Sequence, residues 1–321
     1  MKPWLPLSIY LSLALAAFLM PEYAKTIATI VFFMALGQAV NIFVGLTGYV
    51  DFGYVAFMGL GAYGLGVLLY YWPELGMAAL PLGLALGVVM ASGLAAAVGG
   101  IALRLRGAYF AIATIGVNEG IKHLIIGANI WGGGAGLILG TYAFKAFGRE
   151  TALWLANVGS TVLVIAVGLL AVVAMYLIQS SRAGYALAAI RQDEDAAKVM
   201  GINPTKYKLL AFMTSASLAG LLGAIYYPLG NLQVFPENVF FVEYILDGLA
   251  VMFIGGAGTV TGPIVGGAIY ILVRTFVNEL LPGYQLFVTA LLLMAVVILL
   301  PRGVVGTLRL HLPPKLRQWL P

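Results

Sequence analysis

Three acidic residues stand where the sequence is otherwise apolar, and they are the first candidates for chemistry. Glu119 and Asp247 lie inside apolar stretches, and Asp51 lies between two such stretches. A charge near the centre of a bilayer costs about 2.5–3.5 kcal/mol on insertion scales, so such a residue normally faces a polar cavity or a partner helix. We therefore expect Glu119, Asp247 and Asp51 to line a polar path through a membrane.

The two deeper carboxylates also have structural interpretations. Lys122 stands one helical turn beyond Glu119, so these two residues could form an internal ion pair near the outer interface. Asp247 has no cationic neighbour in the sequence and could accept hydrogen bonds from another helix. Both interpretations stay open at this point.

Other kinds of chemistry are poorly supported. The chain has no cysteine, which excludes thiolate metal sites and cysteine catalysis. Its two histidines, His123 and His311, are too few and too far apart to indicate a metal site. The sequence shows no proton-relay pattern and no catalytic pair. We expect a protein that is not an enzyme and that uses neither a cofactor nor a metal ion.

The glycine-rich segment 255–262 superficially resembles a phosphate-binding loop. A Walker loop continues with Lys and then Ser or Thr after its last glycine, whereas Pro263 and Ile264 follow here. Glycines in membrane helices more often let two backbones approach closely. We assign that packing role to Gly45, Gly48, Gly255, Gly258 and Gly262. With no nucleotide-hydrolysis motif in the sequence, any ATP-driven process would take its energy from a partner.

The composition requires a membrane-spanning fold. Charged residues make up 9% and apolar residues 62% of the 321 residues, whereas soluble domains carry about 25% charged residues. A bilayer core of about 30 Å needs about 20 apolar residues per helix. We predict one all-α, polytopic membrane domain over 1–321 with about ten crossings. Their predicted spans are 4–20, 27–45, 52–71, 77–103, 108–127, 156–178, 209–229, 239–254, 263–280 and 284–300.

The first predicted span resembles a signal peptide, because Lys2 precedes an apolar run. Pro21 and Glu22 then lead straight into more apolar sequence, so we interpret this span as an uncleaved helix.

The basic residues indicate an orientation. Their clusters are separated by even numbers of predicted crossings, so the positive-inside tendency puts all of them, and both termini, in the cytoplasm. The clusters are Lys2; Arg104 and Arg106; Arg182, Arg191, Lys198, Lys206 and Lys208; and Arg302, Arg309, Lys315 and Arg317. Segment 129–155 is predicted outside although it carries Lys145 and Arg149. Since topology accounts for the net charge of +5, we expect a lipid bilayer and no nucleic acid as partner.

A short match within the chain suggests an internal repeat. Residues 43–53 align without gaps with 253–263, so that Gly45 matches Gly255 and Gly48 matches Gly258. Both copies follow a helix predicted to run inward, which implies two halves in parallel orientation, an arrangement known in transporters. A match this short among glycine-rich segments could also arise by chance.

The longest charged interruption is segment 180–208, which we predict to be a cytoplasmic loop with a short helix at 185–200. Good helix formers fill that range, Glu194 and Lys198 are spaced for an ion pair, and Gly201 suits the C′ position. Such a helix could dock into a groove of a partner, or the segment could be a solvated connector. Lipid binding is less favoured, because the acidic run 193–195 would be repelled by anionic lipid.

At this loop the sequence resembles the branched-chain amino-acid permease family of bacterial ABC importers, specifically its M-type membrane subunit. The resemblance covers nearly the whole chain, in the blocks 48–63, 105–114, 182–203, 211–212, 219–224, 255–262 and 301–303. It implies a subunit of an ATP-driven importer of branched-chain amino acids in the cytoplasmic (inner) membrane. The implied partners are a second permease subunit, two cytoplasmic ATP-binding subunits and an extracytoplasmic substrate-binding protein.

The resemblance also implies roles for particular residues. It places block 182–203 against an ATP-binding subunit, and Glu119 falls on the family's usual glutamate. The ATPase-coupling residues implied in or near that block are Arg182, Arg191, Asp193, Glu194, Asp195, Ala196 and Gly201.

Two alternatives remain open. Similar permeases carry urea or short amides, and Trp131 precedes a glycine run where the family commonly has threonine, so the substrate is not determined. In the second alternative the chain is a self-contained secondary transporter or channel. Segment 180–208 is then a passive connector, and Glu119 and Asp247 bind coupling ions.

Overall fold

The fold is almost entirely helical in the computed structural model, which describes residues 4–280, 283–300 and 302–311. Lys2, Pro301, Lys315 and Arg317, which entered the sequence predictions, lie outside these residues. The described helices are, in order, α1 Trp4–Leu19, α2 Ala24–Val40, α3 Tyr54–Tyr71, α4 Ala79–Ala102, α5 Ala108–Gly127, α6 Gly140–Phe147, α7 Arg149–Trp154, α8 Ser160–Ser180, α9 Arg182–Gln192, α10 Glu194–Val199, α11 Pro204–Ile225, α12 Pro236–Val239, α13 Glu243–Gly255, α14 Gly262–Leu280, α15 Gln285–Leu299 and α16 Gly303–His311. Two short strands, β1 Leu137–Ile138 and β2 Gln233–Val234, pair antiparallel.

The polytopic all-α prediction is confirmed, although the count of ten crossings is approximate. Each predicted crossing corresponds to a long helix: α1 to α5, α8, α11 and α13 to α15. By length and composition, 7 helical stretches in the described residues are able to cross a membrane, and α1, α5 and α15 are not among them. α5 has 20 residues, but Glu119, Lys122 and His123 lie in its second half.

Three of the long helices contain a π-helical turn at one end. These turns are Asn41–Gly45 after α2, Leu155–Gly159 before α8 and Tyr226–Gly230 after α11. A π turn inserts one extra residue into the helical repeat and so re-aims the side chains around it; such turns occur frequently at functional sites.

The centre of the fold is a tight packing of α3, α4 and α11. The buried side of α4 repeats every four residues with small side chains: Ala79, Gly83, Gly87, Ala91, Ala95 and Gly99. A Cβ added to Gly61 would clash with the carbonyl oxygen of Gly220, and one added to Gly220 would lie 2.8 Å from the carbonyl oxygen of Gly87. The three backbones therefore meet directly, which is how small residues hold membrane helices together.

Contacts between connecting segments place them on two faces of the protein. On the face predicted to be external, Lys145 lies 2.8 Å from Glu74 and Lys122 lies 2.6 Å from Glu237, and β1 pairs with β2. The segments predicted to be cytoplasmic contact one another on the other face. This sorting agrees with the predicted topology, including the basic segment 129–155, and the cytoplasmic identity of the second face remains a prediction.

The helix predicted at 185–200 is broken in the structure, so a single continuous helix was wrong. Asp193 has extended backbone (φ −155°, ψ 111°), and α9 ends before it and α10 begins after it. The Asp193 carboxylate accepts hydrogen bonds from the N–H groups of Asp195 and Ala196 at 2.9 and 3.0 Å. This N-cap starts a new helix inside a favourable helical sequence. Gly201 has φ 82°, as the predicted C′ position requires.

The two glycine segments share a backbone feature. Gly48 has φ 77° and its predicted counterpart Gly258 has φ 81°, a left-handed conformation in which glycine pays no steric penalty. Each follows a helix that ends on the same face, α2 with its π turn and α13. The two segments are therefore similar in conformation as well as in sequence.

The packing of α3 on α11 gives a first testable prediction. In Gly61→Ala the added methyl group must push α11 away from α3, and overpacking of this kind costs about 1–3 kcal/mol. Gly93→Ala on α4 is the matched control, because nothing lies within 4 Å of its added Cβ. We expect Gly61→Ala to lower the thermal unfolding temperature in detergent, and Gly93→Ala to leave it unchanged or raise it. Equal shifts for both variants would contradict the packing described.

Candidate functional site

The most connected group on the predicted cytoplasmic face is the carboxylate of Glu194, at the start of α10. Tyr49 donates its hydroxyl to Oε2 at 2.5 Å, and Lys208 Nζ donates to the same oxygen at 3.1 Å. Lys198 Nζ lies 3.2 Å from Oε1. Glu194 thus joins the segment after α2, the start of α11 and its own helix.

Burial and hydrogen bonding act in opposite directions on Glu194. Burial by itself raises the pKa of this carboxyl group, but the hydrogen bonds from Tyr49 and Lys208 outweigh it and leave the pKa below its ordinary value. Lys208 is fully buried and also donates to the carbonyl oxygen of Leu103 at 3.1 Å. Both charges are therefore compensated within this subunit.

A second ion pair fixes the other side of α10. Arg106, just before α5, donates from both terminal nitrogens to the Asp195 carboxylate, at 2.9 and 2.6 Å. The hydrogen bonds from Arg106 hold the pKa of Asp195 below its usual range. Both side chains are more than half exposed, so the pair orients α10 more than it stabilises the fold.

Helix α9 is tied to the two glycine segments. Arg191 donates from Nη1 to the carbonyl oxygen of Gly45 at 2.5 Å, and Gln179, at the end of α8, donates to the carbonyl oxygen of Gly258 at 2.5 Å. Arg191 Nη1 also lies 3.0 Å from a Cβ added to Gly258, so a movement of α9 acts directly on the inner end of α2 and on the segment after α13, to which Gln179 connects the end of α8.

Asn41 links the two glycine segments directly. Its side-chain Nδ2 donates to the carbonyl oxygen of Thr259 at 2.8 Å, and its Oδ1 accepts from the N–H of Gly258 at 2.7 Å. A Cβ added to Gly45 would lie 2.8 Å from the nitrogen of Gly258, so the backbones nearly touch. We call this cluster of 41–48, 179, 191 and 255–262 the glycine junction.

The predicted packing glycines are required for two different physical reasons. A Cβ on Gly255 would clash with the carbonyl oxygen of Gly262, and one on Gly262 would lie 2.5 Å from the carbonyl oxygen of Gly256. A Cβ on Gly48 would meet only ordinary contact, 3.5 Å from Arg191 Cγ. At Gly48 the positive φ favours glycine, not close packing.

The remaining predicted coupling residues lie at the surface. Arg182 begins α9 and is exposed, Ala196 is exposed in the first turn of α10, and Gly201 is exposed after it. Beside them, Val199 and Met200 expose 87% and 81% of their surface. Sequence reasoning missed this apolar pair, although two adjacent apolar residues in a charged loop were a visible signal.

The structure does not bring the three candidate path carboxylates together. Asp51 is buried before α3, where its Oδ1 accepts from the N–H of Gly53 at 2.8 Å. Burial raises the pKa of Asp51 to about 7. Asp51 is therefore next to the glycine junction, whereas Glu119 and Asp247 belong to separate helices.

Glu119 does not form the expected pair with Lys122. Lys122 contacts Glu237 of α12 instead, at 2.6 Å. Glu119 accepts a hydrogen bond from Asn118 Nδ2 at 3.2 Å and lies 3.7 Å from His123 Nε2. Its side chain is 41% exposed on the surface of this subunit.

Five outward-facing residues of α5 form a stripe within a wider exposed surface, which also includes Ile115, Gly120 and Leu124. Tyr109, Ile112, Gly116, Glu119 and His123 follow a spacing of three and four residues, so they fall within an arc of about 80° at 100° per residue. The buried residues of α5, Phe110, Thr114, Asn118 and Ile125, lie on the opposite side. We call the exposed arc the α5 face.

Asp247 has a cationic partner that sequence inspection missed. Arg274 of α14 donates from Nη1 to Asp247 Oδ2 at 2.9 Å, and the Tyr270 hydroxyl donates to Oδ1. Asp247 is 1% exposed, so its charge is compensated where water is excluded. The cation that pairs with Asp247 therefore comes from a different helix and not from a residue near it in sequence.

The part of the chain that the structure describes contains no evident metal-binding site. No group of three or more His, Cys, Asp or Glu side chains comes close enough together there to hold an ion.

The sequence profile of the family described as "Branched-chain amino acid transport system / permease component" matches residues 20–297. The chain belongs to this family.

It is also similar to two curated permeases, both named "High-affinity branched-chain amino acid transport system permease protein LivM". The protein of Salmonella typhimurium LT2 is 28% identical over 324 residues, which covers 93% of this chain and 73% of that protein. The protein of Escherichia coli K12 is 28% identical over 319 residues, with the same coverage.

The family assignment confirms the resemblance found in the sequence. This branched-chain amino acid permease component is a membrane protein, and its family is one of transport components rather than enzymes.

The ion pair between Arg106 and Asp195 gives a second prediction. Asp195→Arg places two like charges together, so the contact of α10 with Arg106 should be lost and the hydrogen exchange of the α10 amides should rise a few-fold. Adding Arg106→Asp to the same chain should restore the protection. Glu150→Arg, at an exposed acid of α7, is the control and should leave α10 unaffected. Failure of the double variant to restore protection would mean that another contact holds α10.

Proposed function

We propose that this chain is a membrane subunit of an ATP-driven importer for branched-chain amino acids in the inner membrane of a bacterium. In this proposal it pairs with a second permease subunit, and both termini face the cytoplasm. Two ATP-binding subunits dock on the cytoplasmic face, and a substrate-binding protein delivers cargo on the other. The description of the family and the names of both relatives support the substrate class and the transport role.

The observation that carries the proposal is the set of bonds that tie α9 to the glycine junction and α10 to the neighbouring helices. Helix α10 is held to α5 by Arg106 and to α11 by Glu194 with Lys208. Helix α9 is held to the end of α2 by Arg191, and Gln179, at the end of α8, holds the segment that follows α13. A passive connector needs none of these bonds, whereas a segment that transmits force needs several in different directions. We propose that segment 180–208 transmits ATPase motion to the helices in this way.

The surface that α10 leaves outside fits the docking part of the proposal. Glu194 and Asp195 are used by partners within this chain, so they position α10 and are not free to bind an ATPase. Val199 and Met200 are the large apolar side chains that α10 and its end expose, and a cytoplasmic apolar pair of this kind marks a protein contact. We propose that they insert into an ATP-binding subunit, with Arg182, Ala196 and Gly201 around them.

The α5 face supports a second permease subunit. Charged groups on lipid-facing surfaces are expensive, yet Glu119 and His123 are exposed in the second half of a membrane helix. The exposed face of α4 is the contrast, since it is apolar: Leu82, Leu86, Val89, Gly93 and Ala97. We propose that α4 faces lipid and that the second subunit covers the α5 face, where Glu119 meets the translocation path.

Reconstituted transport tests the function itself. Proteoliposomes that contain this chain, its partner subunits and the substrate-binding protein should take up leucine only with ATP inside. Omitting the ATP-binding subunits should abolish uptake, since this chain has no hydrolysis motif. Uptake by this chain alone, insensitive to ATP, would support a secondary transporter or channel instead. ATP-driven uptake of urea or acetamide without leucine would move the substrate to the alternative class.

A pair of glycine variants tests the α5 face. Among the described residues nothing lies within 4 Å of a Cβ added to Gly116 or to Gly93, so a side chain at either position starts into open space in the isolated subunit. Gly116→Leu should prevent close approach of the second subunit and reduce co-purification of the complex severalfold. Gly93→Leu on α4 should assemble normally, because it meets lipid. If both variants assemble equally well, the second permease does not pack on the α5 face.

A further inference from the structure

A cavity of about 420 Å³ opens between α2, the π turn at Tyr226, α13 and α14. This volume is within the range of about 300–1,000 Å³ that small-molecule sites occupy. In the proposed orientation the cavity lies in the outer half of the subunit, near the start of α2 and the end of α14. Its wall includes apolar Ile30 and Phe33, polar Thr29, and the cation Arg274.

Arg274 keeps hydrogen-bonding capacity for a ligand. A guanidinium has five N–H donors, and one of them binds Asp247 Oδ2 at 2.9 Å. Glu243 Oε1 lies 3.8 Å from Nη2, which is too far for a hydrogen bond. The guanidinium carbon is 5.0 Å from the Phe33 ring centroid, a contact that uses no donor. Within the described chain, donors therefore remain for a carboxylate, which arginine can bind with two parallel hydrogen bonds.

The charges around the cavity favour a zwitterion over a simple anion. Two carboxylates, Asp247 and Glu243, lie within 4 Å of Arg274, the one cation among the described residues that line the cavity. A ligand with only a carboxylate would add a third negative charge. A ligand that also carries an ammonium group brings its own compensation. Glu243 is not one of the lining residues, but it precedes the lining residue Tyr244, lies 3.8 Å from Arg274 and has a side chain that is 21% exposed, so it is the carboxylate available to that group.

The aromatic side chains supply the remaining wall. Tyr226 begins its π turn and stacks on Phe32 with ring centroids 4.0 Å apart, which fixes its ring beside the cavity. Phe33, Tyr226 and Tyr244 line the space next to Arg274. Together with the aliphatic residues they form a surface suited to a branched apolar side chain.

We propose that this cavity is a recognition site for a zwitterionic α-amino acid with an apolar side chain. Arg274 binds the α-carboxylate, Glu243 binds the α-ammonium group, and the aromatic wall holds the side chain. Asp247 is a positioning residue that holds Arg274, and Tyr270 in turn donates a hydrogen bond to Asp247. The inference rests on the proposed function in one respect, since it takes an amino acid as the cargo. The competing explanation is that Arg274 only neutralises Asp247.

Equilibrium binding of radiolabelled L-leucine to the assembled complex in nanodiscs, without the substrate-binding protein, tests the site. L-leucinamide, which lacks the carboxylate, and 4-methylpentanoate, which lacks the ammonium group, are the competitors. The wild-type complex should bind leucine and prefer it over each analogue by about tenfold or more. Absence of leucine binding at millimolar concentration would overturn the proposal.

Paired variants separate ligand recognition from a purely structural role. Arg274→Gln together with Asp247→Asn removes both charges, so neither is left unpaired in the membrane. This double variant should lose its preference for leucine over leucinamide while it still rejects 4-methylpentanoate. Glu243→Gln should show the reverse pattern. Unchanged selectivity in both variants would mean that the ion pair is structural.

Two controls complete the test. Arg149→Gln, at an exposed arginine of α7, should keep the selectivity of the wild type. Arg274→Lys keeps the charge but loses the planar fork, so its preference for leucine over leucinamide should be intermediate. The proposed function is tested separately, by measuring ATP-dependent uptake by the wild-type complex. If uptake is normal and the variants do not change selectivity, the site is wrong and the function stands.

Discussion

Lipid tails are as apolar as leucine, so transmembrane helices gain nothing from the hydrophobic effect when they associate. Their packing depends on close backbone contact and on polar groups that satisfy one another. In this chain α3, α4 and α11 meet at Gly61, Gly87 and Gly220, where no side chain separates the backbones. The same constraint recurs at the glycine junction, where Gly45 and Gly258 nearly touch. Both regions have little tolerance for added volume, so a displacement at one helix is passed to the next.

Polar pairs supply the second kind of connection. Lys208 is fully buried, and its charge is tolerated because Glu194 and the carbonyl oxygen of Leu103 accept its hydrogen bonds. Asp247 is tolerated because Arg274 and Tyr270 donate to it. Removing one partner of such a pair leaves a buried charge uncompensated, which is strongly destabilising. These pairs join different helices, so each one also fixes how those helices sit together.

The α5 face exposes ionisable side chains in the isolated subunit. The α5 face carries Glu119 and His123, while the comparable face of α4 has only apolar residues and glycine. A bilayer accepts the second surface readily and the first only at high cost. This difference gives a physical reason, independent of family membership, to regard the chain as part of a larger assembly.

Much of the fold could be predicted from the sequence, because each crossing needs a long apolar run and ends at glycine, proline or charge. Every predicted span has its helix, and α5 begins and ends at the predicted residues. The charged loop and the paired glycines Gly48 and Gly258 were visible for a similar reason, since residue type and spacing carry that information directly. The recognisable blocks along the chain likewise identified the family.

The sequence by itself therefore determined the membrane class, the order of the helices and the location of the charged loop. Only the tertiary structure decided which charges meet. Lys122 pairs with Glu237 and not with its neighbour Glu119, and Asp247 pairs with Arg274 on the next helix. The side chain of Asp193 broke a helix that local propensity favoured, by capping a new one. These choices depend on which helix faces which, and spacing along one chain does not contain that information.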